Sequence, residues 1–293
     1  MTGISPQADF RVLDTGHLSA AENMALDEAI LAAREEGSVP DTIRFLSFKP
    51  HAALVGQFQT VEREIREDYC REKGIEINRR VTGGGALYWN SSDIGWEVFS
   101  IHGGKFRASK VEDYYRLFCS AVACGISGFG LKARFRPRND IEVGGRKISG
   151  SGGTSMGKAF LFQGTLLVDL DIDVMLRCLK VPVEKLSYSE ISSLKDRVTW
   201  LSRETGYMPA REDIIEKILR GFSRMLGINF FKGVLSAREK ELFSEKLGYF
   251  SSEKHIYRVR EKKSQYYLRS ITKSEKSVIK CHSNIDIRRK ILK

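Results

Sequence analysis

The residues best suited to chemistry lie in two short glycine-containing segments. Residues 79–88 read Arg-Arg-Val-Thr-Gly-Gly-Gly-Ala-Leu-Tyr, and residues 145–150 read Gly-Arg-Lys-Ile-Ser-Gly, with Asn139 and Asp140 shortly before them. Glycine lets a ligand approach the main chain closely, and successive N–H groups in such a turn form an anion-binding concavity. Arginine adds a planar fork that suits phosphate and carboxylate oxygens. The two segments predict a site where main-chain N–H groups hold an anion while a lysine reaches the reacting centre.

The same residues also fit a purely structural interpretation. Glycine runs are common in turns, so residues 83–85 could join two strands with solvated arginines nearby. Lys147 could be a solvent-facing lysine of a strand, and Asn139 with Asp140 could be an ordinary turn pair. Adjacent residues of a strand point to opposite faces, so we expect Arg79 to be structural and Arg80 to face the site.

Length and composition limit the class of protein. The 293 residues suit one large domain, or one domain with a small appendage, and 42% hydrophobic content is enough for a full core. No run of about eighteen apolar residues predicts a membrane span, and residues 1–10 do not resemble a secretory leader. The five cysteines show no Cys-x-x-Cys spacing, which argues against a disulfide framework or a zinc cluster. We therefore expect a cytoplasmic protein with no membrane partner.

The net charge of +11 is concentrated at the C-terminus. Residues 253–293 contain thirteen Lys/Arg and four Asp/Glu, so the rest of the chain carries only +2. Such a tail could bind nucleic acid, a membrane surface or an acidic protein, or only improve solubility. No helix-turn-helix, zinc-finger or aromatic RNA-binding signature is evident, so we do not expect a nucleic-acid partner.

Helical and strand patterns are mixed without regular βαβ alternation. This favours an α+β domain with a mixed, mostly antiparallel sheet. Residues 19–22 form a capping box that begins the first helix, and Gly248 fits a helix stop. We place a domain boundary there, with a catalytic domain over residues 1–248 and a basic segment over 249–293. Further helices are predicted at 61–72, 109–126, 172–179, 209–226 and 235–246, and strands at 10–15, 43–46, 53–55, 75–80, 96–100, 132–136, 140–149 and 159–168.

Several motifs, in the order in which they occur along the chain, resemble those of the lipoate–protein ligase A family of the biotin/lipoate protein ligase superfamily. They are the Arg-Arg-x-Thr-Gly-Gly-Gly-Ala segment, Asn139-Asp140, Gly-Arg-Lys-Ile-Ser-Gly-Ser at 145–151, Gln-Gly-Thr-Leu-Leu at 163–167, and Ser192 followed by Arg197-Val198. Asn-Met-Ala-Leu-Asp-Glu at 23–28 fits the same group. The resemblance covers about residues 10–245. It implies the fold of that superfamily, a mixed sheet flanked by helices, here with a short, partial C-terminal accessory segment.

The resemblance also implies a reaction in two steps. Lipoic (or octanoic) acid and ATP form an acyl-adenylate, accompanied by Mg²⁺, and the acyl group then passes to a lysine of a lipoyl-accepting protein such as an H-protein or an E2 domain. Lys147 would bridge the carboxylate and the α-phosphate, Arg80 would hold the phosphate, and Asn139 and Asp140 would position magnesium and nucleotide oxygens. The remaining expected lining residues are Thr82, Gly83, Gly84, Gly85, Ala86, Leu87, Tyr88, Gly150 and Thr165.

Some positions depart from the family pattern. Trp89-Asn90 stands where many members have His-Asp, and Gln163 stands where many have His, which leaves acyl specificity and the acceptor open. The alternative is an ATP-independent octanoyltransferase of the same fold, which uses a cysteine nucleophile. One transferase type has that cysteine where this chain has Asn139-Asp140, and the other has it slightly beyond Cys178.

The C-terminal segment is short for an accessory domain. Residues 277–282 resemble the first strand of such a domain, and few residues follow. We expect either an abridged or disordered tail, or a separate small polypeptide that completes the domain by adding to this strand.

Overall fold

The computed structural model describes residues 9–106, 108, 110–180 and 196–259. The helices in these ranges are α1 (Ala20–Glu36), α2 (Val61–Glu64), α3 (Glu67–Glu72), α4 (Val111–Ser127), α5 (Ile172–Cys178), α6 (Leu201–Thr205), α7 (Arg211–Leu226), α8 (Ala237–Phe250) and α9 (Glu253–Ile256). The strands are β1 (Asp9–Leu18), β2 (Thr42–Phe48), β3 (Ala52–Val55), β4 (Glu76–Arg79), β5 (Leu87–Trp89), β6 (Ile94–Ile101), β7 (Ala133–Arg136), β8 (Asp140–Val143), β9 (Arg146–Met156), β10 (Ala159–Leu166) and β11 (Asn229–Lys232).

Two mixed sheets form the framework. The larger has eight strands in the order β11-β1-β2-β6-β10-β9-β8-β7, and the smaller has the order β4-β3-β5. In the larger sheet β1 runs parallel to β11 and to β2, and the other pairs are antiparallel. In the smaller sheet β3 is parallel to β4 and antiparallel to β5. The predicted α+β class with a mixed, mostly antiparallel sheet flanked by helices is confirmed.

Helix α1 begins where the sequence predicts it. The Ser19 side chain accepts from Glu22 N, and the Glu22 carboxylate accepts from Ser19 N at 2.8 Å, which completes the capping box. The helix ends at Gly37, whose φ of 78° is left-handed. One face of α1 lies buried between the larger sheet and α8. The helix thereby carries Asn23 and Asp27 into the interior.

Helices α4 and α7 cross closely on the other side of the larger sheet. A Cβ on Gly221 of α7 would lie 2.2 Å from Ala121 O of α4, so this glycine permits the approach. The crossing buries Phe118 and Phe222 against Phe160 and Phe162 of β10. The resulting aromatic core fixes the strands that form the floor of the site.

Three of the predicted elements are wrong in detail. The helix expected over 61–72 is divided into α2 and α3 at Ile65, which has extended backbone. The strand expected over 140–149 is two strands joined by a turn at Gly144 and Gly145, both with positive φ. Gly248 does not stop a helix, because α8 continues to Phe250. The strand expected at residues 277–282 lies outside the described residues, and the domain boundary near residue 248 stays a prediction.

Candidate active site

A cavity of about 340 Å³ lies between the two sheets. It has an apolar part and a polar part. The apolar wall includes Met24, Leu46, Phe48, Leu54, Leu87 and Trp89, and the further aliphatic lining residues are Leu167, Met175, Leu179 and Val198. The polar part is lined by Arg80, Thr82, Gly83, Gly84, Gly85, Asn139, Lys147, Gly150 and Thr165. A carbon chain fits the first part, and an anionic head group fits the second.

The floor of the cavity is one row of residues across the larger sheet. Leu46 pairs with Gly95, Gly95 with Thr165, and Thr165 with Gly150. A Cβ on Gly95 would lie 2.7 Å from the Leu46 side chain, and one on Gly150 would lie 2.8 Å from Lys147 Nζ. Glycine at these positions therefore keeps the floor open and lets the lysine side chain cross it.

The triple-glycine turn forms the roof of the polar part. Gly84 has φ of 102°, a conformation that other L-residues rarely adopt. The Arg80 guanidinium donates to Gly83 O at 2.9 Å and to Gly85 O at 2.7 Å, so it holds the shape of the turn. Burial lowers the pKa of Arg80 to about 10. Arg80 lines the cavity as expected, but these carbonyls already occupy one of its nitrogens, and a phosphate contact stays a prediction.

Arg79 is structural, as the alternation of a strand predicts. Its side chain is fully buried and donates to Gly56 O at 2.9 Å, to Gln59 O at 2.6 Å and to Ile256 O at 2.7 Å. Gln57 N in turn donates to Thr82 O at 2.9 Å. Arg79 therefore connects α9 to the loop that supports the glycine turn.

Lys147 and Asp140 form an ion pair at the polar end. The Lys147 ammonium lies 2.7 Å from Asp140 Oδ1, with the lysine side chain 41% exposed and the aspartate 22%. Lys147 lines the cavity, whereas Asp140 lies directly behind it. The Lys147 backbone is fixed by Arg197 O and Thr199 N, at 2.9 and 2.8 Å. This pairing gives the Arg197-Val198 motif its structural role, while Ser192 lies outside the described residues.

Asn139 is held at the rim of the cavity by Ser151. Its side-chain amide donates to Ser151 O at 3.0 Å, and Ser151 N donates to Asn139 O at 2.9 Å. These bonds leave the Asn139 side-chain oxygen without a role in holding the turn. The expected lining residues Ala86 and Tyr88 also face the cavity. Every expected site residue thus lines the cavity except Asp140, which contacts the lining residue Lys147.

Sequence reasoning missed a buried charge network in the cavity wall. Glu97 lines the cavity, and its carboxylate lies 3.2 Å from Arg44 Nη1, which also contacts Asp27 Oδ1 at 2.6 Å. All three are buried. Burial raises the pKa of Asp27 to about 6 and the pKa of Glu97 well above its usual range. The motif at residues 23–28 could have indicated this network, because Asn23 and Asp27 lie on the same buried face of α1.

Gln163 joins the floor to the roof. Its Nε2 donates to Thr82 Oγ1 at 2.9 Å, and it pairs across the sheet with Glu97. The residue that departs from the family pattern therefore still has a structural task, because it ties β10 to the glycine turn.

The site offers few ligands for a magnesium ion unless a nucleotide supplies phosphate oxygens. Within the described ranges, no three His, Cys, Asp or Glu side chains are grouped as a metal site. Asp140 offers a single carboxylate beside a cavity lined by Lys147. Mg²⁺ commonly binds through one or two carboxylates together with substrate phosphates. The residues fit a magnesium that arrives with a nucleotide, not one held by the protein alone.

The cysteines of the described part of the chain do not line the cavity. Cys178 is fully buried, and its Sγ lies 3.3 Å from Cys70 Sγ. Its contact with Cys70 and its burial raise the pKa of the Cys178 thiol. Burial also raises the pKa of Cys119 to about 12. Neither thiol resembles an activated nucleophile, which needs a lowered pKa and access to substrate.

No helix within the described ranges has both the length and the apolar character needed to cross a bilayer.

Two curated relatives show which activities occur near this sequence. The octanoyltransferase LipM of Symbiobacterium thermophilum is 28% identical over 257 residues, which cover 80% of this chain and 93% of that protein. The lipoate-protein ligase A subunit 1 of Thermoplasma acidophilum is 30% identical over 239 residues, covering 76% and 86%. Several further relatives are also named octanoyltransferase LipM. The relatives therefore favour the expected alternative, a transferase, over the ligase.

Solved structures share the fold. The bipartite lipoate protein ligase of Thermoplasma acidophilum, described with its E2 lipoyl domain, superposes with a TM-score of 0.77 at 26% identity, covering 86% of this chain and 98% of that one. A lipoate-protein ligase A bound with ATP superposes with a TM-score of 0.75 at 26% identity, covering 86% and 100%. Residues 19–223 match the family described as the lipoyl protein ligase A/B catalytic domain. The predicted family is confirmed: this chain belongs to the lipoyl protein ligase A/B catalytic domain family, whose enzymes attach lipoyl or octanoyl groups to proteins.

Proposed function

We propose that this chain is an ATP-dependent lipoate–protein ligase. The observation that carries the proposal is the content of the cavity. Lys147 lines it at the end that bears the glycine turn, and so does Asn139. In the family resemblance, the Asn139-Asp140 turn stands where one type of transferase has its cysteine. The described thiols lie outside the cavity, so covalent catalysis by any of them has no structural support.

The first step would join the acyl carboxylate to the α-phosphate of ATP. A carboxylate oxygen attacks phosphorus, the bond to the bridging oxygen of the β-phosphate breaks, and pyrophosphate leaves. Two anions must approach each other, so a cation between them lowers the barrier. Lys147 is the proposed cation, because its flexible side chain leans across Gly150 into the cavity. Contact with Asp140 positions the ammonium before the substrates bind.

The turn and the apolar wall would position the two substrates. Residues 83–85 line the polar part of the cavity, and the N–H groups of such a turn suit an acyl-phosphate oxygen. The wall around Leu46, Phe48 and Trp89 would bury the acyl chain. Magnesium, when present, would be held by Asp140 and nucleotide oxygens and would neutralise phosphate charge.

The second step would transfer the acyl group to a protein lysine. The amine attacks the acyl carbonyl, AMP leaves with the electrons of the broken bond, and one proton is released as the amide forms. The bipartite relative was described with an E2 lipoyl domain, which supports an acceptor of that kind here. The same relative supports a separate small subunit, which we propose completes the C-terminal segment.

A second candidate is the ATP-independent octanoyltransferase, which the curated relatives favour. It would require a cysteine at the reacting centre. Cys281 lies outside the described residues, Cys70, Cys119 and Cys178 are buried, and the half-buried Cys124 does not line the cavity.

One pair of reactions separates the two candidates. The chain is incubated with an unmodified lipoyl-accepting domain and either lipoate, ATP and Mg²⁺, or octanoyl carrier protein without ATP, and the acceptor is followed by intact mass. Both reactions are run with and without candidate small subunits. The proposal predicts modification only with ATP, together with lipoate-dependent exchange of pyrophosphate into ATP. Octanoylation without ATP would overturn the ligase assignment in favour of the transferase.

A further inference from the structure

A row of cations lies at one edge of the larger sheet. Among the described strands, β7 is the last of that sheet, and its side chains alternate between the two faces. Ala133 and Phe135 lie against the hydrophobic core beneath α4, whereas the charged residues between and beyond them are exposed. We call this row the basic edge, and it consists of Lys132, Arg134, Arg136 and Arg138.

The basic edge shares a face of the sheet with the cavity. Arg136 pairs with Asp140, Asp140 with Gly150, and Gly150 with Thr165, which is part of the cavity floor. Arg134 likewise pairs with Glu142, which pairs with Lys147. Residues directly opposite each other in a sheet point to the same side, and two strand spacings amount to about 10 Å. The arginines therefore lie about that distance from the strand that carries Lys147, beside the open polar end.

Nearby carboxylates do not neutralise this row. Glu142 lies 2.6 Å from Arg136 Nη1 and 3.9 Å from Arg134 Nη2, and its own side chain is only 6% exposed. Asp140 is held by Lys147. The guanidinium-bearing side chains of Arg134 and Arg136 remain 74% and 58% exposed. The four cations outnumber the two nearby carboxylates, which are themselves largely buried, so the electrostatic potential beside the mouth of the cavity is positive.

We propose that the basic edge docks an acidic surface of the acceptor domain, next to the lysine that receives the acyl group. The inference rests on the proposed transfer to a protein lysine. A folded acceptor must cover the cavity mouth to bring its amine to the acyl carbonyl, and the lining residue Asn139 directly follows the basic edge in the chain. Carboxylates that flank the acceptor lysine would pair with the arginines, speeding the encounter and fixing its orientation.

Two other roles for the four cations, phosphate binding and protection of the edge strand, would each give a different experimental result. The arginines could hold the phosphates of ATP, because they lie near Asp140 and Lys147. They could also protect an exposed strand from pairing with another chain, as charged residues on edge strands commonly do.

The test uses the double variant Arg134→Gln/Arg138→Gln, which keeps the Arg136–Glu142 contact. The matched control is Arg224→Gln/Lys240→Gln, two exposed cations on α7 and α8, helices that contribute no residue to the cavity. We expect the edge variant to raise the KM for the acceptor domain about tenfold and to weaken its salt dependence, with the KM for ATP and for lipoate unchanged. Replacing acceptor carboxylates beside the lysine by Lys should reproduce the loss in the wild-type chain.

The outcomes that overturn the inference are distinct. A raised KM for ATP with an unchanged KM for the acceptor would assign the edge to phosphate binding. Unchanged kinetics with new oligomers in size-exclusion chromatography would assign it to protection of the edge. Direct titration of the unmodified acceptor domain without ATP separates the inference from the proposed function. If the chain makes no acyl-adenylate but binds the acceptor domain in a manner that depends on the basic edge, the docking inference holds and the ligase proposal fails.

Discussion

Gly56 faces the carbonyl oxygen of Gly84 so closely that a Cβ on Gly56 would lie 2.2 Å from that oxygen. Gly56 belongs to the loop after β3, and its own carbonyl accepts from Arg79. The glycine turn therefore rests on a second glycine, about thirty residues earlier in the chain, that has no signature in the sequence.

We expect Gly56→Ala to weaken acyl-adenylate binding at least tenfold, because the added methyl must displace the turn backbone. Overpacking of this kind commonly costs about 1–3 kcal/mol. Isothermal titration with a non-hydrolysable acyl-adenylate analogue measures the effect. The control is Gly248→Ala in α8, where a Cβ meets nothing within 4 Å. That variant should bind normally and be more stable by about 0.5–1 kcal/mol. Equal affinity in both variants would contradict the contact.

Lys147→Ala should reduce lipoate-dependent pyrophosphate exchange by at least about a hundredfold, because the charge that stabilises the transition state is lost. The melting temperature should change little, since the ion pair with Asp140 is partly exposed and such pairs contribute about 0–1 kcal/mol. Asp140→Asn removes the partner and leaves the ammonium, so its melting temperature isolates the contribution of the ion pair to stability. Wild-type exchange in Lys147→Ala would remove the catalytic role assigned to this lysine.

The sequence predicted the parts of the site that depend on local patterns. The capping box at Ser19, the glycine turn and the segment around Lys147 all follow from residue type and spacing. The assignment of Arg79 as structural also followed, from the alternation of a strand. These features are set within a few residues, so a linear pattern contains them.

The parts that the sequence did not predict depend on contacts between distant segments. The approach of Gly56 to Gly84 and the network of Asp27, Arg44 and Glu97 exist only after strands from different parts of the chain are aligned. The misplaced helix stop has a local cause, since Gly248 is exposed and tolerated within α8. Long-range register decides such features, and one sequence alone does not give it.

Cys178→Ala should retain the full rate of acyl transfer. The thiol is buried against Cys70, away from the cavity lining, so its removal should lower stability by about 1 kcal/mol without touching the reacting centre. Transfer to the acceptor is measured by intact mass, beside chemical denaturation. Cys281→Ala and the double variant extend the test to the cysteine outside the described ranges. A specific loss of transfer in a folded variant would instead support a covalent thioester intermediate.

The pH dependence of stability should reveal the buried acid pair. The folded chain holds protons on Asp27, with a pKa of about 6, and on Glu97, with a pKa well above its usual range, because burial disfavours a second negative charge beside the single guanidinium of Arg44. A pKa raised in the folded state adds stability that is fully present below the unfolded value near 4 and is lost as pH rises through the folded pKa. The free energy of unfolding should therefore fall as pH rises from about 4 through the folded pKa of Asp27 near 6, and further as pH approaches the raised pKa of Glu97, by up to about 1.4 kcal/mol per proton per pH unit. Glu97→Gln keeps the shape of the side chain and cannot ionise, so the free energy of unfolding of this variant should decline less steeply with pH.

Urea denaturation of the wild type and the variant at several pH values makes the comparison. Asp93, with a pKa of about 7, contributes equally to both proteins. Parallel curves would mean that Glu97 holds no proton that the unfolded chain releases.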